Sequence, residues 1–428
     1  MHLLLTAIGS YGDVHPMIGV AASMRERGHK VTLITNPYFA AEAEAAGVPH
    51  EPVCSVEEYH DVTGHADIWH KRRSVSLVFR WAAERLLRPI YDRIEALYQP
   101  GETLIAAHPL DISSRVARES LGAPVVSVFF APMNLWSDHR PAQLSGAPVG
   151  PGWPRWWNRG WLWLGEQLVM RRHVRPPLNA FRRELGLPAV GRIFPDWWFS
   201  TGHSLGLFPE WFLGPGGVPN DWPDGAATAG FLLWDGAAGR QPPPVDAELD
   251  TWLDTHAEQK PIVFTPGSAN RAASTFFRHA VGACRELDRP ALLLTKFPEQ
   301  VPSPLPPSVR HEAFVPLSRV LPRAAAFVHH GGIGSCAQAL AAGVPQLIHP
   351  LAYDQPDNAR RLEMLGVGAA LRPRDFNDHS AAAAIRRLLD SPSVREQCRL
   401  AAARCDGAAA RRQACEYLER VAAESDIR

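Results

Sequence analysis

The chain predicts an α/β fold of two parallel-sheet domains, and three observations carry that prediction. Its 428 residues are too many for one ordinary core. In both halves short apolar runs alternate with helical stretches, the rhythm that βαβ units produce. Between the halves, Asp235-Gly-Ala-Ala-Gly-Arg-Gln-Pro-Pro-Pro-Val245 reads as a linker stiffened by three prolines. The expected domains are therefore 1–236 and 246–428, joined by 237–245.

Composition narrows the class. An apolar fraction of 46% and a charged fraction of 21% are those of a soluble globular protein. Lys plus Arg equals Asp plus Glu, at 44 each, so no global field points to nucleic acid. The six cysteines include no Cys-x-x-Cys pair, which argues for free thiols and against a zinc site or a disulfide framework. The N-terminal apolar run has no basic flank and is short for a signal peptide, and no stretch approaches the roughly 20 apolar residues of a spanning helix. The expected location is the cytoplasm, with the inner face of the membrane left open by an aromatic segment described below.

The N-terminal half opens with a buried strand, His2 to Ile8. Gly9 to His15 reads as a loop, with Pro16 opening a helix over Met17 to Arg27. Lys30 to Thr35 is a second strand and Pro37 to Ala46 a second helix. A long amphipathic helix from about Val75 to Tyr98 follows, then a strand at Thr103 to Ala107, a helix at Asp111 to Leu121 and a strand at Pro124 to Phe130. The rhythm then breaks over about 133–234. Ten of the fourteen tryptophans lie between Trp153 and Trp234, and the run from Trp156 to Leu164 leads into Arg171-Arg172-His173-Val174-Arg175. Such a segment suits the wall of an apolar pocket or peripheral contact with a membrane surface. A core helix with a basic last turn is the plain alternative.

Regular rhythm returns in the C-terminal half. Strands are expected at Pro261 to Thr265, Pro290 to Thr295, Val309 to Phe314, Ala324 to Val328, Gln346 to His349 and Val367 to Leu371, with a helical tail from about Asn377. After the fourth of these strands comes His329-His-Gly-Gly-Ile-Gly-Ser335, opening an Ala-rich helix that Gly343-Val-Pro345 stops. A strand, a glycine turn and a helix N-terminus make an anion site, because free N–H groups and the positive end of the helix dipole both favour phosphate. Four loops follow strand ends where ligands of such sheets bind: Gly9 to His15, Pro266 to Asn270, the His330 turn, and Leu351 to Asn358. They offer a phosphate cradle, a carboxylate–amide pair for sugar hydroxyls, and a carboxylate or imidazole on the other domain. Glycosyl transfer needs those parts: a stabilised leaving diphosphate, a sugar held in register and an activated acceptor hydroxyl.

His330-Gly-Gly-Ile-Gly-Ser335, Gly343-Val-Pro345 and Asp354-Gln355 with Asn358 resemble the donor signature of the family 1 GT-B glycosyltransferases. Gly9-Ser-x-Gly12-Asp13-Val14 resembles the N-terminal signature of their bacterial sterol, glycopeptide and rhamnolipid branches, with the rhamnolipid-type rhamnosyltransferases nearest. The resemblance runs nearly end to end. It implies a GT-B fold, two Rossmann-like domains facing a cleft, with C-terminal helices crossing back to the N-terminal domain. It also implies an acceptor-binding first domain and a donor-binding second one.

Roles follow the same resemblance. Asp13 falls where these enzymes carry the general base, His15 is a rival on the same loop, and His108 could orient the base. A capping carboxylate for the next helix is the plain reading of Asp13. Ser268, His330, Gly334 and Ser335 would hold the diphosphate, with Gly12 and Gly332 also among the donor-binding residues and His329 and His330 not separable from sequence. Phe314 would stack on the pyrimidine, with Val315 bonding its edge, or Phe314 would be plain core. Asp354 and Gln355 would bind the sugar. Gln338 stands where many members carry a glutamate gripping the ribose, which leans the donor toward dTDP over UDP. No Asp-x-Asp pair occurs, so no metal and no cofactor beyond the nucleotide sugar is expected.

The expected activity is inverting, metal-independent transfer of a hexose, rhamnose from dTDP-rhamnose foremost, to a hydroxyl of an apolar or lipid-like acceptor. A UDP-sugar glucosyltransferase acting on a sterol, terpenoid or polyketide is the alternative. A nucleotide-sugar epimerase, a dinucleotide oxidoreductase and an inactive nucleotide-sugar-binding partner are the remaining rivals. The oxidoreductase is weakened because Gly9-x-x-Gly12 lacks the Gly-x-Gly-x-x-Gly spacing.

Overall fold

A computed structural model describes residues 1–144, 146–234 and 246–427, so the proline-rich linker lies outside the described residues. The chain divides into two compact units, Met1–Trp234 with Gly407–Arg428, and Asp235–Asp406.

The first unit is built on a seven-stranded sheet: β1 (His2–Thr6), β2 (Lys30–Thr35), β3 (His50–Pro52), β4 (Thr103–Ala107), β5 (Val125–Phe129), β6 (Ser204–Gly206) and β7 (Ala226–Thr228). Their spatial order is β3-β2-β1-β4-β5-β6-β7, and every pairing is parallel. β1 is central, with Leu4 beside both Thr32 and Ile105. It is buried on both faces, which is why His2–Thr6 reads as a continuous apolar run and does not alternate. On one face Leu4, Ile34, Ile105 and Val125 pack against Ile90, Ile94 and Val116. Each such side chain contributes about 1.5–3 kcal/mol when fully buried.

Two sequence expectations change here. The segment expected to be a loop through His15 is helical from Tyr11, and the first helix runs Tyr11–Glu26 with Pro16 inside it. Pro16 is the sixth residue of that helix, where it removes the bond that an N–H would make to the Gly12 carbonyl. Nor is the Trp-rich stretch a mere insertion, since it supplies β6 and β7 to the sheet. Trp197 and Trp198 from that stretch are core residues. The Trp198 ring also lies under the buried Arg115 guanidinium, 4.3 Å from its centroid, while Arg115 Nε donates to Trp198 O at 2.7 Å.

The second unit holds a six-stranded sheet: β8 (Ile262–Thr265), β9 (Ala291–Leu294), β10 (Val309–Glu312), β11 (Ala326–His329), β12 (Gln346–Ile348) and β13 (Gly368–Ala370). Its order is β10-β9-β8-β11-β12-β13, again all parallel. Strands that all run one way put every following loop on one sheet edge. The C-terminal helix, Gly407–Glu424, groups with the first unit, so the span 246–428 given to the second domain runs past that unit's end at Asp406. Glu419 on this helix accepts from Arg27 Nε and Nη2, at 2.7 and 2.5 Å, and pairs with His29 Nε2 at 2.9 Å.

Candidate active site

In the first unit, the site is assembled from the loops after β1 and β4. Asp13 is the third residue of the first helix, and its Oδ2 accepts from the Ser10 N–H at 2.8 Å and from Ser10 Oγ at 3.2 Å. The capping reading of Asp13 is thus realised in the structure. It does not exhaust the carboxylate, because Oδ1 lies 3.6 Å from His108 Nε2 and the side chain keeps 36% exposure. Gly9, at φ +122°, makes room for this arrangement, since a Cβ there would collide with Asp13 Oδ2.

His108 is buried and its orientation is set from two sides. Its backbone N–H donates to Thr6 Oγ1 at 2.9 Å, and its Nδ1 accepts from the Leu110 N–H at 3.0 Å. An accepting Nδ1 leaves the proton of the neutral ring on Nε2, the nitrogen that faces Asp13. Thr6 in turn donates to Asp111 Oδ2 at 2.8 Å, tying the end of β1 to the loop after β4. His15 is not part of this arrangement. Its ring stands edge-on to Tyr11, with centroids 4.9 Å apart, because residues two apart on a helix point to different sides.

In the second unit, the sheet order arranges the expected donor residues in a row. The loop after β10 carries Phe314, the loop after β8 carries Ser268, the turn after β11 carries His330, and the loop after β12 carries Asp354. Phe314 is 53% exposed, which rules out the core reading, whereas its neighbour Val315 is buried. Ser268 is exposed at the end of its strand.

The two histidines of the turn separate cleanly. His329 is fully buried: its Nδ1 accepts from the Gly331 N–H at 3.1 Å, and its Nε2 pairs with Gln346 Oε1 at 3.0 Å. Burial, then the neighbouring His330, lowers its pKa to about 3. His330 is the one at the mouth, half-buried, its pKa lowered to about 4 by desolvation and by His349. Glycines frame its ring. A Cβ on Gly267 would stand 2.9 Å from Cε1, and one on Gly332 would stand 2.6 Å from Nε2.

Gly332 caps the helix Ile333–Ala342, which starts beside that ring. Gly334 has a different reason to be glycine. A Cβ there meets nothing, and its φ is not positive, so the fold itself does not demand one. Without a side chain it leaves the first-turn N–H groups open to close approach. Ser335 is half-buried on the same turn, and Gln338 lies one turn further on, at 9% exposure.

Asp354 and Gln355 part company. Gln355 is buried, and its Oε1 accepts from the Leu351 and Ala352 N–H groups at 2.7 and 3.1 Å, so it shapes its own loop. Asp354 is half-buried and follows Tyr353, whose φ of +57° is strained for a residue with a side chain. Asn358 joins this loop to the glycine turn, its Nδ2 donating to Asp354 Oδ2 at 2.7 Å and to Gly331 O at 2.9 Å.

Known families match both halves of the chain. Residues 3–135 match the glycosyltransferase family 28 N-terminal domain, and 286–420 match the C-terminal domain of erythromycin biosynthesis protein CIII-like proteins. The chain is 30% identical over 415 residues to the O-mycaminosyltylonolide 6-deoxyallosyltransferase of Streptomyces fradiae, covering 92% of this chain and 91% of that one. The chain belongs to the GT-B glycosyltransferases.

The fold likeness extends to solved structures. The kitacinnamycin glycosyltransferase superposes with a TM-score of 0.73 at 20% identity, covering 98% of each chain. The spinosyn rhamnosyltransferase complexed with thymidine diphosphate does so with 0.65 at 17% identity, over 94% of this chain and 95% of that one. Within this glycosyltransferase, Thr6 and Asp111 are the residues that sequence reasoning missed. Thr6 reads as an ordinary strand residue, and its partner lies 105 positions away, so no local pattern marks it.

Proposed function

We propose that this glycosyltransferase moves a deoxyhexose, rhamnose foremost, from a dTDP donor to a hydroxyl of an apolar acceptor, with inversion. The observation that carries the reading is the row of loops along the second sheet, running from the exposed Phe314 ring through Ser268 and the His330 turn to Asp354. A nucleotide sugar has the same order of parts: base, diphosphate, hexose. The neutral His330 ring and the N–H groups at the start of Ile333–Ala342 would take the diphosphate as it gains charge, with no metal required of these residues. Asp354 would hold the sugar hydroxyls.

In the transfer step the Asp13 carboxylate would accept the acceptor's hydroxyl proton. The acceptor oxygen bonds to the anomeric carbon as the bond to the diphosphate oxygen breaks, and dTDP leaves with that electron pair. A carboxylate is a weak base toward a free alcohol, and it suffices because the proton becomes acidic only as the new C–O bond forms. His108 Nε2–H would hold the carboxylate in place.

For the acceptor, Trp153, Trp156, Trp163 and Leu168 are exposed beside Arg171 and Arg172, which supports a lipid-like acceptor and peripheral contact at the cytoplasmic face of a membrane. The name of the Streptomyces fradiae relative favours a second reading, a polyketide-type acceptor. A thermal-shift panel of dTDP, UDP and GDP tests the donor. Mass spectrometry of transfer from dTDP-rhamnose to a hydroxyacyl lipid and to a macrolide aglycone tests the acceptor. Stabilisation by dTDP and a rhamnosylated product are expected. No stabilisation by any nucleotide would overturn the donor row, and preferred use of UDP-glucose would replace the dTDP assignment.

A further inference from the structure

Two cations and two rings alternate along the same sheet edge. Arg271, on the loop after β8, lies over the Phe297 ring on the loop after β9, with its Cζ 4.9 Å from the centroid. Lys296, the residue before Phe297, lies over Phe314 on the loop after β10, with Nζ 5.6 Å from the centroid. β10, β9 and β8 are consecutive neighbours, so the ladder Arg271–Phe297, Lys296–Phe314 spans the three loops in register with the sheet. Rings fix the cations by attraction to their π faces, which holds two flexible side chains near one place. Lys296 is half-buried and Arg271 exposed.

The donor row leaves a charge problem that this ladder answers. A nucleoside diphosphate sugar carries two negative charges, and His330 faces them as a neutral imidazole. A helix N-terminus supplies only about half a unit of positive charge. Arg271 follows Ser268 by three residues, and Lys296 sits between the Phe314 loop and the Ser268 loop.

We propose that Lys296 and Arg271 are the charge partners of the donor diphosphate, with Lys296 serving the phosphate next to the nucleoside and Arg271 the phosphate next to the sugar. The inference rests on the donor reading above. It adds a selectivity: the chain distinguishes a nucleoside diphosphate from a nucleoside by fixed side-chain charge as well as by the helix terminus.

Isothermal titration of the full chain with thymidine, dTMP and dTDP tests it, using Lys296→Met and Arg271→Met, which keep the stems and remove the charges. Lys296→Met should weaken dTMP and dTDP roughly tenfold and leave thymidine within about twofold, as loss of a charge-assisted contact requires. Arg271→Met should weaken dTDP by a similar factor and spare dTMP. Both variants should show a shallower dependence of dTDP affinity on salt. Unchanged dTDP affinity in both variants, or an equal loss on thymidine, would overturn the proposal. If the unmodified chain binds no nucleotide at all, the donor reading falls first, so the two failures are told apart.

Discussion

At the scale of single residues, Asp13 does two jobs with one carboxylate. Oδ2 caps the first helix, and Oδ1 faces His108. The two can be separated, because an amide still accepts from the Ser10 N–H but cannot take a proton. Asp13→Asn should therefore lower turnover by about 10²–10⁴ while leaving the melting temperature and dTDP affinity nearly unchanged. Unchanged turnover would remove Asp13 from the reaction. On the proposal that His108 acts through Asp13, His108→Gln should lower kcat by about tenfold to a hundredfold with little change in KM. A loss matched by an equal fall in thermal stability would show a packing role only. Asp13 was legible in the sequence as base or cap, and the structure shows the cap. The proposal takes Asp13 over His15 as the resemblance does, and the structure sets the His15 ring against Tyr11.

At the scale of elements, the glycines of the turn after β11 differ in what the fold asks of them. Gly331, at φ +92°, and Gly332, which would press on His330, are needed by the fold. Gly334 is not. Alanine there should stabilise the helix Ile333–Ala342 by up to about 1 kcal/mol, from propensity alone, yet weaken dTDP binding several-fold, as calorimetry and denaturation run together would show. A loss of both would mean that the position is structural.

Four imidazoles, two buried and two half-buried, give a pH dependence of definite sign. His2, His329, His330 and His349 have pKa values lowered to about 4, about 3, about 4 and about 4, with burial the first cause in each. In the unfolded chain they titrate near about 6.5, so there they bind protons first as pH falls. Their contribution to stability is complete above about 6.5 and is lost progressively toward about 4. Urea midpoints should hold steady between roughly pH 8 and 7, then fall steeply by about pH 5. An unchanged midpoint at pH 5 would show that these rings are not neutral-buried in solution.

At the scale of the whole molecule, the chain's last helix belongs to its first unit. Glu419 grips Arg27 and His29 at the far end of the helix that carries Asp13. Hydrogen bonding to Arg27 lowers the Glu419 pKa to about 2, so this clamp is intact above about 4.5 and weakens as pH falls toward 2. The partners are about a third exposed, so solvent screens most of the attraction. Glu419→Ala should cost up to about 1 kcal/mol, read as a small drop in the melting temperature. An Arg27→Ala, Glu419→Ala cycle with no coupling would show the pair to be incidental.

Much of this molecule was determined by local sequence. The continuous apolar strands follow from sheets buried on both faces, and the glycine turn after β11 is a short-range pattern readable without contacts. The loops of the candidate donor row were legible too, whereas the structure decided that Phe314 is exposed and not core. Tertiary structure decided what depends on partners far apart in the chain. It made Gln355 a loop anchor, separated His329 from His330, and fixed Gly407–Glu424 as the helix that makes the return to the first unit which the resemblance implied. It also turned the Trp-rich stretch into two strands of the first sheet. The physical reason is common to all four. Hydrogen-bond partners and burial are settled by packing between segments, and neither composition nor periodicity records which segments meet.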